Sequence, residues 1–262
     1  MRVIGVVDLL AGCAVHARAG RRGSYGPVRT VAGSIVEAGD ALALAGAYLG
    51  RLGLAELYAA DLDAIMARAP QDTIVKSLAQ LGAPLWLDAG VSSADRARHA
   101  LGLGASVVVI GLETLSSYEA LGEICAALGG ERVAFSLDLR DGEPIVASSA
   151  GNGRGMGGTT LGEPAHTIAA HAAAAGVGAL IVIDLARVGT GAGLDLPMVA
   201  RVRDAAPGLT LLAGGGVRGL EDLAGLADAG CDGALVATAL QDGRLSASDV
   251  AAAARYQRSA TR

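Results

Sequence analysis

Acids stand at the ends of short apolar runs throughout this chain: Asp8 in "VVDLL", Asp61 in "AADLDA", Asp88 in "LWLDAG", Glu113 in "VIGLET", Asp138 in "SLDLR" and Asp184 in "IVIDL". A carboxyl group so placed can move a proton, hold a hydroxyl or an amine, or bind a cation. Such acids cannot all be ionised and unpaired in one pocket; some must pair with arginine, stay protonated or hold an ion. Asp8 and Asp138 are the candidates for proton transfer, because their surroundings are twins, "GVVDLLAG" and "FSLDLRDG". Asp88, Glu113, Asp61 and Asp184 are expected at the polar end of a substrate. For Asp61 and Asp184 the competing role is to cap the next turn and hold arginines such as Arg187.

A second kind of chemistry is written in glycine. "LLAGGGVRG" (211–219) places Gly214, Gly215 and Gly216 between an apolar run and the helix pattern that begins near Leu220. Residues without Cβ let an anion approach backbone N–H groups, and a helix N-terminus adds partial positive charge. One unit later "ATALQDG" offers Ala237 and Thr238 in the same way. Together these residues predict a phosphate site, with Arg218 either beside it or at a solvated helix start. The twin stretch "LWLDAGVSS" (85–93) carries Asp88 and Ala89 where the later copy has Gly214 and Gly215. An acid there repels phosphate and suits hydroxyls, an amine or a metal ion.

Other candidates lie in two long loops. "HARAGRRGSYGPVRT" brings Arg18, Arg21 and Arg22 over the first half, with His16 as a possible further acid–base group. "SSAGNGRGMGGTT" reads as a glycine-rich lid carrying Arg154, and Thr190 follows Val188-Gly189 near the mouth. The only lysine, Lys76, sits in a helix pattern, which argues against Schiff-base chemistry. His99, His166 and His171 have no metal-ligand spacing, and the cysteines Cys13, Cys125 and Cys231 fit neither a disulfide framework nor a zinc site.

The elements that must position these residues come in two copies. Asp8 pairs with Asp138 at an offset of 130, Asp61 with Asp184 at 123, and Gly90 with Gly216 at 126. "VIGLETL" pairs with "LVATALQ" at that last offset. Apolar, β-branched runs near residues 2–8, 55–61, 84–88, 106–111, 132–138, 179–184, 209–213 and 233–237 alternate with helix-period segments. That alternation predicts parallel strands, and with the repeat it predicts a single α/β domain over 1–262, a (β/α)8 TIM barrel with internal half-barrel duplication, the halves being roughly 1–130 and 131–262. A doubly wound open sheet is the competing architecture. In a barrel every acid above lies at the C-terminal end of a strand, where such folds carry their chemistry.

Composition bounds the rest. The chain has 262 residues, 52% of them hydrophobic, and a formal charge of −5. No basic stripe marks a nucleic-acid partner, no apolar run is long enough for a membrane span, and the opening residues enter a strand pattern without a signal peptide, which predicts a cytoplasmic location.

The stretches "VVDLLAGCAVHARAG", "ADLDA", "SLDLRDG", "DLARVGTGAG", "GGGVRGLEDL" and "ATALQDG" resemble the HisA/HisF histidine-biosynthesis barrel family. That family comprises a phosphoribosyl-formimino aminoimidazole carboxamide ribotide isomerase and the cyclase subunit of imidazole glycerol phosphate synthase. Within it the chain resembles most an uncharacterised branch of archaea and one-carbon-using bacteria, with "VVDLLxGxxVHAxxG" and "GLETL". The resemblance implies a half-barrel duplication, a phosphate-binding second half, and an Amadori rearrangement in which Asp8 matches the family's general base and Asp138 a strand-five aspartate. The family's Asp-Gly-Thr after strand six is Val188-Gly189-Thr190 here, and its first-half glycine motif is Asp88-Ala89-Gly90.

The expectation is an acid–base enzyme acting on a small phosphorylated metabolite without a cofactor, with aldose–ketose isomerisation of a phosphoribosyl or phosphosugar derivative as the reaction. Asp88, Glu113, Asp61, Asp184, Arg18 and Thr190 would bind substrate, and Gly214, Gly215, Gly216, Ala237 and Thr238 its phosphate. Two alternatives stay open: a Mg²⁺-assisted lyase or synthase of one-carbon coenzyme chemistry, or a non-catalytic barrel serving as partner subunit or homo-oligomer.

Overall fold

A computed structural model describes residues 1–19, 21–146 and 163–256, apart from the Arg22 side chain. The expected lid and Arg154, like Arg22, lie outside what it describes. Eight parallel strands form the barrel: β1 Arg2–Leu10, β2 Leu57–Asp61, β3 Leu85–Asp88, β4 Val107–Gly111, β5 Val133–Arg140, β6 Ala179–Asp184, β7 Thr210–Gly214 and β8 Gly233–Val236. Each pairs with the next, and β8 returns to β1 with Gly5 opposite Val236, which closes the ring. The open-sheet alternative is thereby set aside, because no barrel strand is left as an edge.

Helices follow the strands: α1 Ala41–Gly50, α2 Asp72–Ala79, α3 Ala94–Gly102, α4 Tyr118–Leu128, α5 Ala165–Ala174, α6 Leu196–Ala205, α7 Leu220–Asp228 and α8 Ala247–Ala253. Many begin at a side chain that accepts from their own first turn, such as Asp40, Ser93, Ser117 and Ser246. Two short helices, Leu62–Ile65 and Thr238–Gln241, sit at the mouth after β2 and β8. No helix among the described residues is long and apolar enough to cross a membrane.

Strand alternation divides the core in two. Outward residues such as Val7, Leu57, Leu87, Val108, Leu137 and Leu211 pack beneath the helices. Inward residues, among them Ile4, Tyr58, Ala60, Trp86, Val109, Ala134, Ile181, Leu212 and Leu235, fill the barrel. At the lower end Trp86 donates from its indole N–H to Glu56, 2.8 Å away, and Glu56 also pairs with Arg2. The same inward sets, continued upward, reach Asp8, Asp88 and Asp138.

Candidate active site

The mouth holds a cavity of about 300 Å³. Asp8, Asp88, Glu113 and Asp138 line it together with Gly214, Gly215, Gly216, Ala237 and Thr238. Asp8, Asp88 and Asp138 each stand an even number of residues above an inward apolar residue of their own strand, so period-two alternation turns their side chains into the barrel, while Glu113 comes from the turn after β4.

Asp8 is partly accessible to the cavity, and among the described residues no donor reaches its carboxylate. Burial pushes its carboxyl up to about 7. Asp88 is also pushed up to about 7, first by burial and then by the neighbouring charge of Asp138, with a smaller push from Glu113. Two donors partly offset this: the Gly90 N–H, 3.2 Å from Oδ1, and the Tyr58 hydroxyl, 3.4 Å from Oδ2. Asp138 is oriented by Ser136, whose hydroxyl donates across 2.8 Å from the next inward position down β5. The site therefore contains an acid without a protein donor facing one that has a donor, a difference that suits opposite roles in proton transfer.

Asp61 and Asp184 need correction as substrate ligands. Each follows an inward residue, Ala60 or Ile183, by one position and so points away from the cavity. Asp61 is 1% exposed and accepts from Ala64 N, Gln71 N and Gln71 Nε2. Asp184 accepts from the backbone of Asp141 and Ala186 and from Arg187 Nε at 3.2 Å. Both act as turn caps and braces, the competing role foreseen for them. Arg18 and Thr190 likewise lie outside the cavity lining. Arg18 is exposed, and Thr190 is an exposed hydroxyl that donates to Arg187 O and accepts from Ala192 N. Their loops are joined instead by the Ala19 N–H, which donates to Val188 O.

The glycine loop is required sterically. A Cβ at Gly215 would stand 2.6 Å from Asp184 O, and one at Gly216 2.4 Å from Gly193 O. Both have positive φ, 83° and 118°. Among the described residues no acceptor is hydrogen-bonded to the N–H groups of Gly216, Val217, Thr238 or Ala239. Arg218 is held in a pair with Asp222, 2.7 Å apart, and its guanidinium packs over Gly193. Arg244, which sequence reasoning missed, lines the cavity beside Thr238 and pairs with Asp242.

Other missed residues are Tyr25, Tyr58, Arg140, Leu62, Ile65 and Ile145, all in the cavity wall. Tyr58 was legible in principle, as the inward neighbour of Ala60. His16 does not line the cavity; its Nδ1 donates to Gln241 Oε1 at 2.6 Å, and Gln241 Nε2 donates to the Tyr48 hydroxyl at 3.1 Å. Tyr48 in turn donates to Val6 O, so this relay ties the short helix Thr238–Gln241 to β1 two residues below Asp8.

Among the described residues no group of three or more His, Cys, Asp or Glu is arranged to hold a metal ion. The fold and this mouth define a barrel enzyme whose acids and unshared amides face one cavity. The histidine biosynthesis protein family matches residues 2–246, and the chain belongs to it. A relative from Thermus thermophilus is 35% identical over 94% of this chain and 96% of its own. One from Deinococcus radiodurans is 34% identical over 74% and 78%, and one from Anaeromyxobacter sp. (strain K) 32% over 97% and 99%. All three are named as the isomerase of a 1-(5-phosphoribosyl)imidazole-4-carboxamide that carries a second, (5-phosphoribosylamino)methylideneamino group. The chain is an enzyme of this family, an isomerase. The lyase and non-catalytic readings gain nothing from the relatives.

Proposed function

We propose that the protein is an aldose–ketose isomerase performing an Amadori-type rearrangement on a phosphoribosyl derivative. The observation that carries this reading is the placement of Asp8 and Asp138, matched in sequence between the two halves, on one cavity with the glycine loop of β7. The phosphate would rest on Gly214, Gly215, Gly216, Ala237 and Thr238, where Gly216 and Thr238 offer unshared amides. The sugar then lies across the barrel axis, with Asp88 and Glu113 at its far end.

The chemistry balances with these groups alone. Asp138 gives a proton to the ring oxygen of the aldosylamine; the C1–O bond breaks, and the nitrogen lone pair forms a C1=N iminium. Asp8 takes the proton from C2, and the released pair forms C1=C2 while neutralising the nitrogen. Asp8 returns its proton to C1 as Asp138 takes the proton of the C2 hydroxyl, leaving a ketone at C2 and both carboxyls as they began. A base that titrates near 7 is half ionised at neutral pH, close to the best compromise between availability and strength.

The test follows absorbance on mixing the purified protein with the aminoaldose of the relatives' name. Asp8→Asn and Asp138→Asn should each lower kcat by about 10² to 10⁴-fold. Affinity for a phosphate ester should stay within a few-fold. Unchanged turnover in Asp8→Asn would remove Asp8 from the mechanism.

A further inference from the structure

The two halves provide an internal control for anion binding, since the same turns occur twice. After β8, the Leu240 and Gln241 amides both donate to Ala237 O at 3.0 Å. After β4, the twin residues Thr114 and Leu115 donate to Gly111 O at 3.0 and 3.1 Å. The backbone shape is shared, but the amide at its entrance is used differently. Thr238 N–H has no acceptor among the described residues, whereas its twin Leu112 N–H donates to Ser136 O at 3.0 Å.

The same contrast recurs one strand earlier. The Gly216 N–H is unshared, but that of its twin Gly90 is taken by the side chain of Asp88. Helix α7 starts at Gly219, which has no side chain to cap it. Its twin α3 starts at Ser93, whose hydroxyl accepts from Arg96 N. Asp88, 9% exposed, stands where the second half has the bare Gly214, at which a Cβ would lie 3.0 Å from the Leu235 side chain. Two of the amides that would receive a second phosphate, those of Gly90 and Leu112, are consumed by the protein, and a buried carboxyl and Glu113 stand on the cavity wall there.

We infer that Asp88 is a specificity-determining residue that closes the first-half counterpart of the phosphate site. The substrate therefore carries one phosphate, and its other end is an uncharged or cationic group whose hydroxyls or amine donate to Asp88 and Glu113. This rests on the phosphate position proposed above, and it separates the chain from relatives whose named substrate bears two phosphoribosyl groups.

The experiment is calorimetric, so it reads binding apart from turnover. The unaltered protein and Asp88→Gly are titrated with inorganic phosphate, with the bis-phosphoribosyl compound of the relatives' name, and with the same compound after removal of either phosphate. Expected are one phosphate per chain and at least tenfold tighter binding of one singly phosphorylated form than of the parent compound. Asp88→Gly should take up a second phosphate and reverse that preference; a thermal melt first establishes that the variant is folded. Two phosphates per chain on the unaltered protein, or tighter binding of the doubly phosphorylated compound, would overturn the inference, since cavity cations such as Arg140 would then have rebuilt the site. Single-phosphate binding without isomerisation of any of these compounds supports it while refuting the reaction proposed above. Efficient turnover with a preference for two phosphates does the reverse.

Discussion

Replacing Asp8 by Asn should trade activity for stability, and the size of the trade follows from where the carboxylate sits. Burial raises Asp8 from the ordinary 3.8 to about 7, and no donor among the described residues compensates the charge. The folded state therefore binds this proton more tightly than the unfolded state does. Stability is greatest with Asp8 protonated, falls as pH rises from about 4 towards 7, and is level above. A shift of roughly three units corresponds to about 4 kcal/mol, and partial contact with cavity water reduces the measurable part to roughly 2–4 kcal/mol. Asn has nearly the same shape and no charge, so it removes this penalty. Urea unfolding at pH 8 should show Asp8→Asn more stable by that amount, with the gain shrinking towards zero near pH 4, while turnover is lost. An Asp8→Asn protein no more stable than its parent at pH 8 would refute a desolvated ionised carboxylate, and with it the argument for a base tuned near neutrality.

The same shift fixes the pH profile. kcat/KM should fall about tenfold per unit below pH 7 as Asp8 takes up its proton, and a profile flat from pH 5 to 8 would contradict this. Asp61→Ala should cost about 2–4 kcal/mol in denaturant titration, because it strands the amides of Ala64 and Gln71, yet leave KM within about twofold. A raised KM at unchanged stability would return Asp61 to the substrate. Gly216→Ala places a Cβ 2.4 Å from Gly193 O at a φ of 118°, and should weaken inorganic phosphate binding at least about tenfold, about 1.4 kcal/mol, by calorimetry.

Much of this architecture was legible in the chain itself. The repeated apolar runs set eight strands to within a few residues, because a strand buried on both faces has to be continuously apolar and short. The glycines after β7 announced close backbone approach, and the structure places the Asp184 and Gly193 carbonyls against Gly215 and Gly216. Asp8, Asp88 and Asp138 could be read as neighbours because the C-terminal ends of barrel strands converge on one mouth.

What the sequence left undecided was direction and sharing. Asp61 and Asp184 end their strands as the other acids do, but one position of alternation turns them outward, where backbone amides from other loops, those of Gln71 and Asp141, satisfy them. Whether Arg18 and Thr190 would reach the cavity depended on how two loops joined, which the contact between Ala19 and Val188 decides. Residue types fix which groups can donate or accept, and alternation fixes their side of the strand. Only the packed structure determines which donors are already taken. That distinction separates the unshared amide of Gly216 from that of Gly90, which the chain itself occupies with Asp88.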